Sequence, residues 1–287
     1  MAAVTEWIDI DIINGHVTVE SSINGIKGYS IIDTGASGTS INGNFVTANN
    51  LTFGNAGKIV IQGIVAKEER PVYRGVEVSM FGTQLTFNNV ADINFGGARE
   101  QLLLGADFLK GYVVQFDYVN SRMRLITRDS IDLKKQKNIK SKRLGTSGGI
   151  VVKVGLGKKD PWLMLDTGAT SGLIVSRQLA ERLDWPETYG TVTGESRGVN
   201  DSAETEYFRL PNMGLGPYNL EDVMVAYPAE GSDFKLFERR TASGSRLLQR
   251  NAYEGLVGYD VLKHFLVTVD YQRGYVHLAP GQKVTAE

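Results

Sequence analysis

Two short runs decide how this chain folds: Ile31-Ile32-Asp33-Thr34-Gly35-Ala36-Ser37 and Met164-Leu165-Asp166-Thr167-Gly168-Ala169-Thr170. Each is an apolar strand that stops on a carboxylate, continues Thr-Gly-Ala and then supplies a hydroxyl. A Gly two residues past the Asp reads as a tight turn that presents the acid. One Asp-Thr-Gly carries little weight, since chance supplies it in roughly one chain in twenty of this size. Two copies with matched flanks suggest an internal repeat that brings two carboxylates face to face.

The repeat extends well beyond the two runs. Residues 15–35 overlay residues 148–168 without a gap, at an offset of 133. Residues 102–110 recur at 255–263, and residues 114–118 recur at 267–271, both at an offset of 153. The second half is therefore longer by about 20 residues, and most of the excess falls in the polar, Arg-rich stretch 228–253. Between the halves, residues 129–147 carry Lys134, Lys135, Lys137, Lys140, Lys142 and Arg143 and few apolar side chains. That composition reads as a solvated connector, which divides the chain into 1–128, a basic linker 129–147, and 148–287.

Within each unit the pattern is of short strands. Ile8, Ile10 and Ile12 alternate with Asp9 and Asp11, as in a half-buried strand. Asn24-Gly25 marks a hairpin turn, and residues 45–51 read as a short helix or strand. Residues 58–65 and 71–80 read as strands, with the charged run Lys67-Glu68-Glu69-Arg70 at the tip of a projecting hairpin. A second such hairpin is expected between 189 and 210, its tip near Val199-Asn200-Asp201-Ser202. Ser176 is the expected N-cap of a helix closed by Pro186. Asp107 and Asp260, and Asp117 and Asp270, recur symmetrically, which suits helix capping and hairpin roles.

Composition narrows the function. At 287 residues and 42% hydrophobic the chain supports two cores, and no apolar run approaches the length of a membrane span. A net charge of −1 gives no reason to expect nucleic acid or an anionic membrane as partner. The absence of Cys excludes disulfides and thiol catalysis. His16, His264 and His277 lack metal-ligand spacing, so neither metal nor cofactor is expected. The 31 Lys and Arg residues argue against an enzyme built for strong acid, where they would repel one another. Met1-Ala2-Ala3 is expected to lead straight into a strand with no signal peptide within this sequence, as a chain whose leader has been cleaved would also read. A periplasmic or other extracytoplasmic compartment is the expectation, with the cytoplasm left open.

Taken together, Asp33-Thr34-Gly35, Asp166-Thr167-Gly168 and the later triplets Leu103-Leu104-Gly105 and Leu256-Val257-Gly258 resemble the aspartic protease superfamily of pepsins and retroviral proteases. The duplication within one chain is pepsin-like, while the short lobes and the Ala after each Gly resemble the retroviral type, as in a bacterial single-chain member. The resemblance implies an all-β bilobal acid-protease fold: two pseudo-two-fold-related, barrel-like lobes, a central cleft and few short helices. It implies an aspartic endopeptidase in which Asp33 and Asp166 activate a water. Thr34 and Thr167 would clasp each other across the interface, and Gly35 and Gly168 would let the loops approach. The hairpins carrying Lys67, Glu68, Glu69 and Arg70, and Val199, Asn200, Asp201 and Ser202, would be flaps over an extended peptide or unfolded protein. Tyr73 is the nearest counterpart of the pepsin flap tyrosine. With both acids in one chain a monomer suffices. The alternative from another class is a catalytically silent peptide-binding or adaptor protein using the same cleft. In pepsins a hydroxyl follows the Gly and can bond the carboxylate; Ala36 and Ala169 cannot, so a mildly acidic pH optimum is expected.

Overall fold

The computed structural model describes residues 3–62, 67–145, 147–197, 202–232 and 253–284. Its backbone is mostly β, arranged in three sheets with a few short helices. A ten-stranded sheet is built from the first half of the chain and an eight-stranded sheet from the second. A five-stranded sheet draws on both. It runs Ile8–Asp9, Arg122–Ile126, Val113–Asp117, Phe265–Asp270, Tyr275–Pro280. At its centre Val113–Asp117 pairs antiparallel with Phe265–Asp270, and Gln115 lies opposite Thr268. Those two residues are repeat mates, so the pseudo-two-fold axis passes between them. The Gln115 amide donates to the Thr268 hydroxyl at 2.9 Å. The architecture is the expected bilobal, all-β one.

Each half repeats the same construction. Strands His16–Ile23 and Ile26–Ile32 form the hairpin that delivers Asp33. Its turn residues Asn24 and Gly25 both have positive φ (52° and 78°), the geometry that matches the twist of paired strands. Val17, Val19, Ile23 and Ile32 fill the core from this hairpin, each at most 2% exposed. Strands Ile150–Gly155 and Trp162–Leu165 do the same for Asp166, burying Val151, Val152, Leu163 and Leu165. The triplet strands then lie parallel beside the delivery strands, Leu104 opposite Ile32 and Val257 opposite Leu165. Glycine ends each triplet because a side chain would not fit. A Cβ on Gly105 would sit 2.6 Å from the Gly38 carbonyl, and one on Gly258 2.5 Å from that of Ala169.

Several local expectations are corrected. Lys67–Arg70 is not a hairpin tip but the opening half of strand Lys67–Arg74, paired residue by residue with Ile59–Gln62. Charge made it resemble a turn, yet an arm with exposed faces tolerates charge while its main chain pairs. Gly75, at φ 69°, splits residues 71–80 into two strands. Residues 45–51 fall in the helix Gly43–Ala48 and the turn after it, with Asn42 as N-cap. Ser176 does cap Arg177–Arg182, accepting from the Leu179 N–H at 3.2 Å. Pro186, however, starts the next helix, Trp185–Thr188, rather than ending this one, because its missing N–H costs nothing in a first turn. The basic stretch also contains strand Ser141–Arg143, which pairs with Ile150–Val152 at the margin of the second sheet. Among the described residues no helix is long and apolar enough to cross a membrane.

Candidate active site

Both Asp-Thr-Gly turns are pinned from behind by equivalent main-chain bonds. The Asp33 N–H donates to Leu104 O (3.0 Å) and the Asp166 N–H to Val257 O (2.9 Å). One turn later, Ala106 N–H reaches Ala36 O at 2.9 Å and Tyr259 N–H reaches Ala169 O at 2.8 Å. Each loop is thereby fixed to its own triplet strand before any side chain is considered.

The threonines then fasten one loop to the other. Thr34 Oγ1 donates to Leu165 O at 2.9 Å and accepts from the Thr167 N–H at 2.9 Å. Reciprocally, Thr167 Oγ1 donates to Ile32 O at 2.6 Å and accepts from the Thr34 N–H at 3.1 Å. Both side chains are buried, at 0% and 1% exposure. Four interlocking bonds between buried groups hold the loops in one mutual position, and removing any partner would strand another.

That position brings the carboxyls of Asp33 and Asp166 into hydrogen-bonding contact. Gly35 faces Asp166 so closely that an added Cβ would stand 2.5 Å from both carboxyl oxygens. Gly168 faces Asp33 in the same way, at 2.7 Å. The surroundings of the two acids differ. Asp33 is half-buried and accepts from the N–H groups of Gly35 (2.8 Å) and Ala36 (3.1 Å). Asp166 is only 8% exposed and accepts from the Gly168 N–H at 2.8 Å. Burial, and next the charge of Asp33, push the Asp166 carboxyl well above the usual carboxylate range, against the pull of the Gly168 and Ala169 N–H groups. A pair of contacting carboxyls, one holding its proton, can polarise a carbonyl and activate a water together.

Two family descriptions match this chain, and they fall on the two halves of the repeat. Residues 19–111 match a gag-polyprotein putative aspartyl protease and residues 150–260 match an aspartyl protease. The chain belongs to the aspartic protease superfamily. No curated protein aligns significantly with this superfamily member along its sequence. Its fold is similar to that of the crystal structure of the aspartic proteinase from Irpex lacteus, at a TM-score of 0.56 and 13% identity, over 97% of this chain and 98% of that one.

The remaining expected site residues are distributed as follows. Glu68, Glu69 and Arg70 lie on the hairpin Gly54–Gln62/Lys67–Arg74, where Lys58 pairs with Glu69 at 2.7 Å and Arg70 with Glu68 at 2.9 Å. Lys67 opens the second strand of that hairpin, opposite Gln62. The second hairpin exists between Val192–Arg197 and Ser202–Leu215, with Arg197 opposite Ser202. Val199, Asn200 and Asp201 lie outside the described residues, as does most of the stretch 228–253. The half-buried Tyr73 donates its hydroxyl to Asp92 at 2.9 Å, and burial with that bond pushes it up to about 12. Asp107 does not cap its helix, Ala106–Leu109, whose N-cap is Gly105; it accepts instead from the Thr39 hydroxyl at 2.8 Å. Two neighbours of the site had no sequence motif to mark them. Thr39 ties the turn after Asp33 to the first-half helix, and His16, pushed below the usual histidine range by burial, feels the charge of Asp33.

Proposed function

We propose that this protein is an aspartic endopeptidase that hydrolyses peptide bonds with a water activated between Asp33 and Asp166. The observation that carries the reading is the contact of the two carboxyls, delivered by equivalent turns and locked by the Thr34–Thr167 clasp. Two carboxylates so placed cannot both ionise, a rule for which aspartic proteases are themselves the standing example. They share one proton and titrate as a unit. The more buried Asp166 favours the proton, which leaves the charge to its partner in the pair.

In the cycle, the ionised Asp33 removes a proton from the bound water while the protonated Asp166 donates to the scissile carbonyl oxygen. The water oxygen bonds to the carbonyl carbon, giving a tetrahedral intermediate. Its collapse breaks the C–N bond, and the amine leaves with a proton from the pair. The substrate lies extended between lobes 1–128 and 148–287, joined by 129–147. The two hairpins cover it, and Gly54–Gln62 and Val192–Arg197, which among the described residues lie at the edges of their sheets, offer main-chain groups to a peptide. One chain supplies both acids, so the monomer is the active unit.

The test is peptide-library cleavage between pH 3 and 7 by the unsubstituted chain, by Asp33→Asn, and with a statine inhibitor such as pepstatin. Cleavage that disappears under both perturbations supports the reading. Cleavage that survives both overturns it, and peptide binding without cleavage would favour the silent, adaptor-like alternative.

A further inference from the structure

The strand that delivers Asp166 begins at Trp162, and two cations rest on its ring. Lys142 and Lys153 hold their Nζ atoms 4.4 and 5.1 Å from the indole centroid. The ladder places them there: Lys153 pairs opposite Trp162, and Lys142 opposite Val151, two residues before Lys153 and so on the same face. Lys140 completes the group. The Lys153 N–H donates to Lys140 O at 2.9 Å, which sets two lysines opposite each other across the strand pair. Like charges so placed repel, yet among the described residues none of the three lysines pairs with a carboxylate. The acids next to them are otherwise engaged. Lys153 reaches Asp160 only through the main-chain carbonyl, and Glu254, whose N–H donates to Trp162 O, pairs its carboxylate with Arg182 at 2.8 Å.

This basic face is continuous with the catalytic loop. Trp162 packs against the cluster of Leu144, Val151, Met164, Ala169 and Leu256, and Ala169 follows directly on Asp166-Thr167-Gly168. From Trp162 to Asp166 the strand covers about 13 Å, which an extended peptide spans in about four residues. The first half has no equivalent. Tyr29 is the repeat mate of Trp162 and carries Arg99 over its ring at 4.9 Å. Its partner across one strand is Glu20, the mate of Lys153, and its partner across the other is Glu100. Acids accompany the cation there, whereas the second-half face presents lysines alone.

We propose that Trp162 with Lys140, Lys142 and Lys153 forms a substrate subsite for an acidic side chain about four residues from the bond cut, on one side of it only. The carboxylate seats among the three ammonium groups and relieves their mutual repulsion, while the indole receives the apolar stem. Exposed charge pairs contribute modestly, so the subsite biases the choice among peptides and does not decide whether they are cleaved. This inference rests on the peptidase reading and names the substrate class: extended peptides with Asp or Glu to one side of the cut.

The test walks a single Glu outward from the cut, on either side, in an extended peptide with apolar residues flanking the bond, with a Gln twin at every position. kcat/KM is read on the cleavable series and Kd on the same series carrying a reduced, uncleavable bond. Glu should exceed Gln by about fivefold in both readouts near the fourth residue on one side, and the advantage should shrink as salt is raised. Lys142→Gln combined with Lys153→Gln should bring that ratio close to one, whereas Lys134→Gln, on the linker helix Leu133–Gln136, should keep it. A ratio below about twofold at every position, or one that the double variant leaves intact, overturns the proposal. Tighter binding of a short single-stranded DNA than of the Glu peptide, lost in the double variant, overturns the choice of occupant. A chain that binds the series with this preference yet cleaves none of it sinks the peptidase reading and leaves the subsite standing; cleavage without the preference does the reverse.

Discussion

Gly35→Ala tests the heart of the structure with a single methyl. Neither Gly35 nor Gly168 has the left-handed backbone that would strain an alanine, so the perturbation acts only through contact. The new Cβ at residue 35 would stand 2.5 Å from both Asp166 carboxyl oxygens, where ordinary contact begins at 3.4 Å. Either the Asp166 carboxyl or the loop must give by about 0.9 Å, which the four-bond clasp resists. A displacement near 1 Å in a reacting group costs on the order of 100-fold in rate, and overpacking costs about 1–3 kcal/mol in stability. The mirror change, Gly168→Ala, meets Asp33 at 2.7 Å and needs roughly 0.7 Å. Since Asp33 is also the less buried acid, its loss should be the smaller of the two. Gly190→Ala is the control, because nothing lies within 4 Å of the added carbon. The assay is kcat/KM on one good peptide together with a thermal melt of each variant. The expected order is Gly190→Ala unchanged, Gly168→Ala impaired and Gly35→Ala most impaired, with all three folded. Gly35→Ala within threefold of the unsubstituted protein would refute the carboxyl contact, and the mechanism with it.

Thr34→Val leaves the Thr167 N–H and the Leu165 carbonyl buried without partners, so it should lose on the order of 2–4 kcal/mol, read as a lower urea midpoint at unchanged m-value. Asp166→Asn should stabilise at neutral pH. The folded-state pKa of Asp166 lies above its ordinary 3.8, so stability falls as pH rises from that value through the folded one. The variant should therefore melt higher at pH 7, by about 2–4 °C for each kcal/mol relieved, and show no such gain at pH 3. The same raised carboxyl holds the shared proton into less acidic solution, so kcat/KM should peak at mildly acidic pH; a profile still climbing toward pH 2–3 contradicts this. Ala36→Ser places a hydroxyl beside the Asp33 carboxylate and should move the acid limb of that profile to lower pH.

What could be read from sequence follows from how the interactions are coded. The two Asp-Thr-Gly runs, the triplets and the offsets of 133 and 153 are local strings, and the clasp and carboxyl contact follow once a two-fold axis relates them. The hairpin arms resisted reading because their side chains carry no inward-outward contrast. Ile59 and Val60, adjacent and so on opposite faces, are 48% and 63% exposed, and the neighbouring charges of residues 67–70 mimic a turn. Pro186 misled because the same residue that stops one helix can open another. The Thr39–Asp107 bond joins residues far apart in the chain through single atoms, and no periodicity announces such a meeting.

Fusing both halves into one chain has a chemical consequence that a symmetric dimer could not reach. In a dimer of identical lobes the two acids start from the same surroundings, and only the substrate or the proton itself can distinguish them. Here the repeat mates have diverged around the pair. His16 lies near Asp33, whereas its mate in the second half is Gly149; the ring of Tyr259 packs on Tyr118, whereas its mate is Ala106. Of the two acids Asp166 is the more enclosed, 8% exposed against a half-buried Asp33. Enclosure raises the energy of charge on Asp166, against the pull of the Gly168 and Ala169 N–H groups. On the proposed mechanism this enclosure would leave the shared proton with Asp166 and the role of base with its partner. It follows that His16→Gly, which makes the first half resemble the second at this position, should narrow the difference between the acids. In the pH profile of kcat/KM the acid limb, where the shared carboxyl pair first ionises, should shift; a profile superimposable on that of the unsubstituted chain would place the origin of the asymmetry in burial of Asp166 alone.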